Sequence, residues 1–117
     1  MVNKKNIRKW IKALRSGKYI QITGNLHKDN GYCCLGVACE VSGLSEWKRK
    51  DLPFTLNSYF YLDALNTLPD PVQKWLGVEN CNPTCNGRFL SDWNDSQFYN
   101  FTQIADLIEE RYLTNGK

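Results

Sequence analysis

Long apolar runs are missing from this chain. None approaches the ~18 residues that a membrane-spanning helix needs, so no membrane partner is expected. Residues 1–10 carry positive charge with no apolar stretch behind it, which is not the pattern of a secretory leader. Histidine occurs once, at His27. A cysteine nucleophile of the papain-like order needs an imidazole well downstream, and this sequence has none there. Also absent are a glycine-rich phosphate loop, an internal repeat and a linker-like stretch. What remains is the composition of one folded domain spanning residues 1–117: 42% hydrophobic, 23% charged and 13% aromatic. A chain of this size hides roughly two-thirds of its unfolded surface. Such proportions exclude a disordered tail or a fibrous repeat.

Five cysteines, Cys33, Cys34, Cys39, Cys81 and Cys85, are an odd number without a leader. That combination points to reduced thiols and a cytoplasmic location. Cys81 and Cys85 have loop spacing suited to zinc, with partners to be found among Cys33, Cys34, Cys39 and His27. The plainer reading is buried free thiols, and no metal or cofactor is assigned.

Charge is unevenly spread. Residues 1–50 hold eleven Lys and Arg against three acids, whereas residues 51–117 hold four against nine, so a net charge of +3 conceals halves of +8 and −5. Either one face of the molecule presents cations to an anionic partner, or the two halves neutralise each other.

Periodicity places a helix over residues 3–16, with Ile7, Trp10, Ile11 and Leu14 on one face, Asn3 as cap and Gly17 after it. Residues 18–26 alternate as a strand, Ile20 and Ile22 on the apolar side. Asn30-Gly31 is a hairpin turn signal leading to a return strand at Tyr32. Residues 33–42 read as a buried helix closed by Gly43, with Gly36 allowing close approach. The stretch 54–65 suits a strand or a short helix. A short helix follows Leu68-Pro69-Asp70-Pro71, capped by Asp70 and ended by Gly77. A loop or hairpin turns at Asn86-Gly87. A last helix spans 102–113, with Thr102 as cap. The expected fold is α+β: a compact single domain, a small antiparallel sheet packed with three or four helices.

Several constellations compete for a function. Cys33 and Cys34, at a helix start after Tyr32, resemble the placement of a thiolate nucleophile, but the missing base favours core thiols. Asp92 with Asp95, and Glu109 with Glu110, show no metal or glycosidase spacing. The basic helix face supplies charge, and Tyr19, Tyr32 and Trp47 are candidates for stacking. A sequence pI of about 8.6 makes direct DNA or RNA binding the weaker reading. A small anionic nucleotide needs only two or three cations and one aromatic platform. An acidic protein surface would use the same face.

Trp10-x-x-Ala13-Leu14-Arg15-Ser16-Gly17-x-Tyr19, followed by Tyr32-Cys33-Cys34-Leu35-Gly36-Val37-x-Cys39, resembles a group of small proteins of tailed bacteriophages and prophages. Leu68-Pro69 with Trp75-Leu76-Gly77, and Asn94-Asp95-Ser96 with Phe101-x-x-Ile104-Ala105-Asp106-x-Ile108, extend the resemblance over most of the chain. Cys81 and Cys85 fall outside that pattern. The group carries no established activity, so no catalytic residue transfers. The resemblance implies a phage product acting in the bacterial cytoplasm by binding and disabling a host factor. The expected contact residues are Arg15, Lys18, Tyr19, Gln21 and Thr23, with Trp93, Asn94 and Asp95 as a second set. The alternatives are a small cysteine- or acid-dependent hydrolase or nuclease, and a zinc-stabilised interaction module. Self-association of the chain is a further expectation.

Overall fold

The computed structural model describes residues 2–49, 57–96 and 98–113. Part of the ambiguous 54–65 stretch therefore lies outside the described residues. In chain order the elements are α1 (Lys4–Arg15), β1 (Ile20–Gln21), β2 (His27–Lys28), β3 (Gly31–Tyr32), α2 (Cys34–Ser42), β4 (Trp47–Arg49), β5 (Ser58–Tyr61), α3 (Asp70–Leu76), β6 (Thr84–Cys85), β7 (Arg88–Phe89), α4 (Leu90–Asp95) and α5 (Phe101–Tyr112). The fold is α+β, as expected.

Two features of that expectation change. The five-stranded sheet, ordered β1-β3-β2-β5-β4, is mixed, because β1 runs parallel to β3. The cause is topological. The chain reverses between β1 and β2 and again in the β2–β3 hairpin, so β1 and β3 run the same way, and with β5 on the far side of β2 the β3 edge is the one left for β1. The described residues also form five helices rather than three or four. The unforeseen one is α4, a single short turn-and-a-half too brief for a periodic signal.

Local chemistry accounts for most element ends. Asn3 Oδ1 accepts the Asn6 N–H at 3.1 Å and starts α1. The β2–β3 hairpin turns one residue earlier than Asn30-Gly31 implies. The loop is Asp29-Asn30, with Asp29 at φ +54°. Gly31 is needed inside the strand instead, because a Cβ there would collide with the Ile22 side chain. The Asn86-Gly87 hairpin forms as expected, both residues having positive φ. Pro69 takes the cap position of α3, so Asp70 is its first helical residue. The capping box of α5 belongs to Asn100 and Gln103 rather than Thr102.

The predicted strand over 18–26 shortens to two residues, and its facing is reversed. Ile20 is 54% exposed, while Gln21 turns inward to the carbonyls of Asn94 and Tyr99. Those carbonyls require a donor, which an isoleucine lacks.

α2 is the centre of the core. Cys34 to Cys39 are all buried, and α1, α3 and α4 pack around the helix. Trp10 Nε1–H donates to the Cys34 carbonyl at 2.9 Å, fixing α1 across it. Gly36 lies directly against the Leu26 carbonyl, and the Cys33 N–H donates to the same oxygen at 3.1 Å. Among the described residues no helix is long and apolar enough to cross a membrane.

Backbone cannot yield to a methyl group as a side chain tip can. Gly36→Ala is therefore expected to cost roughly 3 kcal/mol or more, or to prevent folding. Gly43→Ala, in open space at φ +65°, should cost only about 1 kcal/mol. Urea melts of the two variants provide the check, and equal midpoints would refute the steric reading of Gly36.

Candidate functional site

The two expected contact sets, far apart in sequence, meet beside β1. The Asn94 side chain is 2% exposed and wholly committed to internal bonds. Its Oδ1 accepts the Cys34 N–H at 2.9 Å, satisfying one of the free donors at the start of α2. Its Nδ2 donates to the Ile22 carbonyl at 2.8 Å. Gln21 Nε2 donates to the Tyr99 carbonyl at 3.0 Å and to the Asn94 carbonyl at 3.2 Å. Asn94 is thus the strut that binds β1, α2 and α4 together. Asp95 Oδ1 accepts from Gly24 N–H and Asn94 Nδ2 at 3.3 and 3.1 Å, and among the described residues Oδ2 receives no hydrogen bond.

Three adjoining grooves follow β1. The first, about 310 Å³, is lined by Lys9, Lys12, Ala13, Ser16, Lys18, Tyr19 and Val41. Tyr19 separates it from a second groove of about 240 Å³, which takes in Arg15, Gly17, Gln21 and the start of α5 at Asn100 to Thr102. Gln21 and Asn100 separate that one from a third of about 400 Å³, lined by Thr23, Asp95, Ser96, Phe98, Tyr99 and Gln103. The row is cationic at one end and rich in amides and hydroxyls at the other.

Seven of the eight expected residues border these grooves; Trp93 does not. Its Nε1–H donates to the Cys85 carbonyl at 2.8 Å, and its ring packs on Tyr99 and under the Arg88 guanidinium. It anchors the β6–β7 hairpin to α4. Arg15 lines its groove but is not a free cation. Its guanidinium donates to Glu109 at 2.8 Å and Asp106 at 2.7 Å, and these bonds raise its pKa further. In this pair the halves of the chain do neutralise each other.

Lys9, Lys12 and Lys18 are different. Among the described residues none of them pairs with a carboxylate. Lys9 and Lys12, at three-residue spacing, share a helix face with Ser16. That spacing was available in the sequence as a sign that the two charges act together. Phe98, 74% exposed, carried no such sign, because it stands in the short connection between α4 and α5, where no helical or strand period runs.

The aromatic residues expected to stack on a ligand stack on each other. Cross-strand register aligns Gln21, Tyr32, His27, Tyr59 and Arg49 in one row over the sheet. The His27 ring lies parallel to Tyr32 at 4.1 Å and close to parallel with Tyr59 at 4.4 Å. Trp47 packs edge-on against both His27 and Tyr32 and donates to Glu40 Oε1 at 2.8 Å. With its ring faces covered, this row holds two-residue strands together rather than offering a platform. His27 Nδ1 is 2.7 Å from the Gly31 carbonyl, so it carries the proton and donates. Tyr19, edge-to-face with Tyr32 at 5.3 Å, is the member that reaches the lysine groove.

Four of the five thiols are inert by burial. Cys33 and Cys85 are pushed up to about 11 by desolvation. Cys34 and Cys39 are raised for the same reason. Cys33 Sγ accepts the Gly36 N–H at 3.4 Å, a capping contact that lowers its pKa far less than burial raises it. Cys85 is buried whereas Cys81 is exposed. Among the described residues no group of three or more His, Cys, Asp or Glu is placed to hold a metal ion.

Comparison with known proteins places residues 2–112 within a family described as a Domain of unknown function, DUF8296. The chain belongs to the DUF8296 family. No curated protein and no solved structure matches it. The DUF8296 match covers both the lysine groove and the Asp95 cleft, so both lie within the family's domain.

Thiols with raised pKa values stay protonated in the folded state after the unfolded chain, near ~8.5, has begun to ionise. Their stabilising effect is complete below that pH and is lost as pH rises toward the folded values. Each buried thiol contributes a slope of at most about 1.4 kcal/mol per pH unit in that window. Urea midpoints should fall steeply between pH 8 and 10, and Cys33→Ala should flatten the slope. A flat profile would contradict thiol burial. In parallel, a disulfide reagent should modify Cys81 rapidly in the native protein and the four buried thiols only on unfolding.

Proposed function

We propose that this protein is a non-enzymatic phage accessory protein that captures a small anionic nucleotide in the cytoplasm of the bacterial host and so withholds it from a host system. The observation that carries the reading is the convergence of Lys9, Lys12 and Lys18 on one groove beside Tyr19. Three cations with no carboxylate partner among the described residues, one of them lying over the Tyr19 ring at 5.8 Å, make a positive concave surface that attracts a phosphate-bearing ligand. The groove continues past Gln21 into a cleft of amides and hydroxyls, which is the chemistry that a base and a sugar need. The lysine groove and the Asp95 cleft, at about 310 and 400 Å³, are each in the range of small-molecule sites.

Support for binding rather than catalysis comes from the nucleophiles. The cysteines of the Tyr32-Cys33-Cys34 motif are buried and held protonated, and the sole imidazole is committed to Gly31 and to its aromatic neighbours. This counts against the hydrolase alternative. The phage setting rests on the motif resemblance alone. An acidic host protein would meet the same lysines, and the test below separates the two.

Titration calorimetry with nucleoside mono- and diphosphates should give binding that weakens as salt rises. Lys12→Glu and Lys18→Glu should each reduce affinity about tenfold or more (~1.4 kcal/mol per factor of ten), with little change in melting temperature. Arg15→Glu should affect nucleotide binding less, because Asp106 and Glu109 already hold that charge. Affinity unchanged by the lysine reversals would remove the groove from the proposal. Capture of an acidic protein with no nucleotide binding would replace the ligand.

A further inference from the structure

Resting on the nucleotide reading, the far end of the groove specifies which base it takes. The third groove contains no lysine or arginine. Its one charged side chain is Asp95, and among the described residues that carboxylate has no cationic partner. Among the described residues the hydrogen bonds of Asp95 fall on Oδ1, so Oδ2 keeps its acceptor capacity. Gln21 is in the same condition. Its Nε2 is spent on the carbonyls of Asn94 and Tyr99, and its Oε1 remains an acceptor. Phe98, 74% exposed, borders the same cleft. This is the largest exposure of any big apolar side chain described, and it suits a flat ring laid over it.

A site of this make-up has an acceptor-rich rim and one aromatic face. A phosphate is repelled by Asp95 and drawn to the lysines, so the ligand has one orientation, with its base at Asp95. Among the common bases, guanine alone presents two adjacent donors on its pairing edge, N1–H and the exocyclic N2–H. Adenine places a lone pair at N1, which a carboxylate disfavours. Cytosine and uracil each offer a single donor on that edge. We infer that the Asp95 cleft selects guanine, with Asp95 Oδ2 and Gln21 Oε1 as acceptors and Phe98 beneath the ring.

GMP, IMP and AMP form a series in which IMP lacks the N2 donor and AMP lacks both donors. Calorimetry on the intact protein should rank them in that order. Each lost contact should cost about tenfold, the low end of what a bidentate base contact is worth. Asp95→Asn retains an oxygen for the Gly24 and Asn94 bonds but puts a donor where Oδ2 stood. It should compress the series toward equal affinities. Lys12→Glu should weaken all three nucleotides alike. The wild-type order tests the inference without any variant. Equal affinities, an AMP preference, or a series unchanged in Asp95→Asn would overturn guanine selection and leave nucleotide capture standing. Failure of all three nucleotides to bind would overturn both.

Discussion

The buried amide of Asn94 is the contact on which the rest of the molecule depends. It replaces water for the first N–H of α2 and for the Ile22 carbonyl after β1, two backbone groups that burial would otherwise leave unpaired. A buried polar group without a partner costs about 1–3 kcal/mol, so the amide binds three segments with one side chain. It also explains the short, reversed β1. Gln21 faces inward because the α4 end of the chain supplies carbonyls for it, and Ile20 is turned outward as a result.

Neutralisation across the fold is partial, and the part left over is informative. Arg15 reaches α5, and Arg111 meets Glu79 at 2.8 Å. These exposed pairs stabilise the fold by only about 0.2–1 kcal/mol each. Their consequence is positional, since they remove two arginines from the available charge and leave Lys9, Lys12 and Lys18 as the cationic lining of the first groove. The aromatic row has a comparable effect. By stacking on one another, Tyr32, His27 and Tyr59 supply the cohesion that two-residue strands lack, and they withdraw from ligand contact.

The grooves along β1 combine these results. Among the described residues, one end holds cations with no carboxylate partner and the other a carboxylate with no cationic partner beside an exposed ring, while backbone and amides join them. A ligand with a charged end and a hydrogen-bonding end fits such a gradient in one direction only. The chain achieves this with secondary structure of modest length, because the edge strand and the ends of α1 and α5 meet there.

Much of the fold was legible in the order of residues. The apolar periods of α1 and α5, the buried run of α2, the glycine stops at Gly43 and Gly77, and the Asn86-Gly87 turn all follow from local geometry, which depends on near neighbours alone. Gln21 and Thr23 were recognisable as a polar strand face in want of a reason, and Asn94 and Asp95 as a second polar spot. Tertiary structure decided what the reason was. It paired Arg15 with acids some ninety positions away, buried Asn94, turned the aromatic faces toward each other and set Phe98 over the Asp95 cleft. Those outcomes depend on distant segments arriving at the same place, and the spacing of residues along a chain carries no information about that.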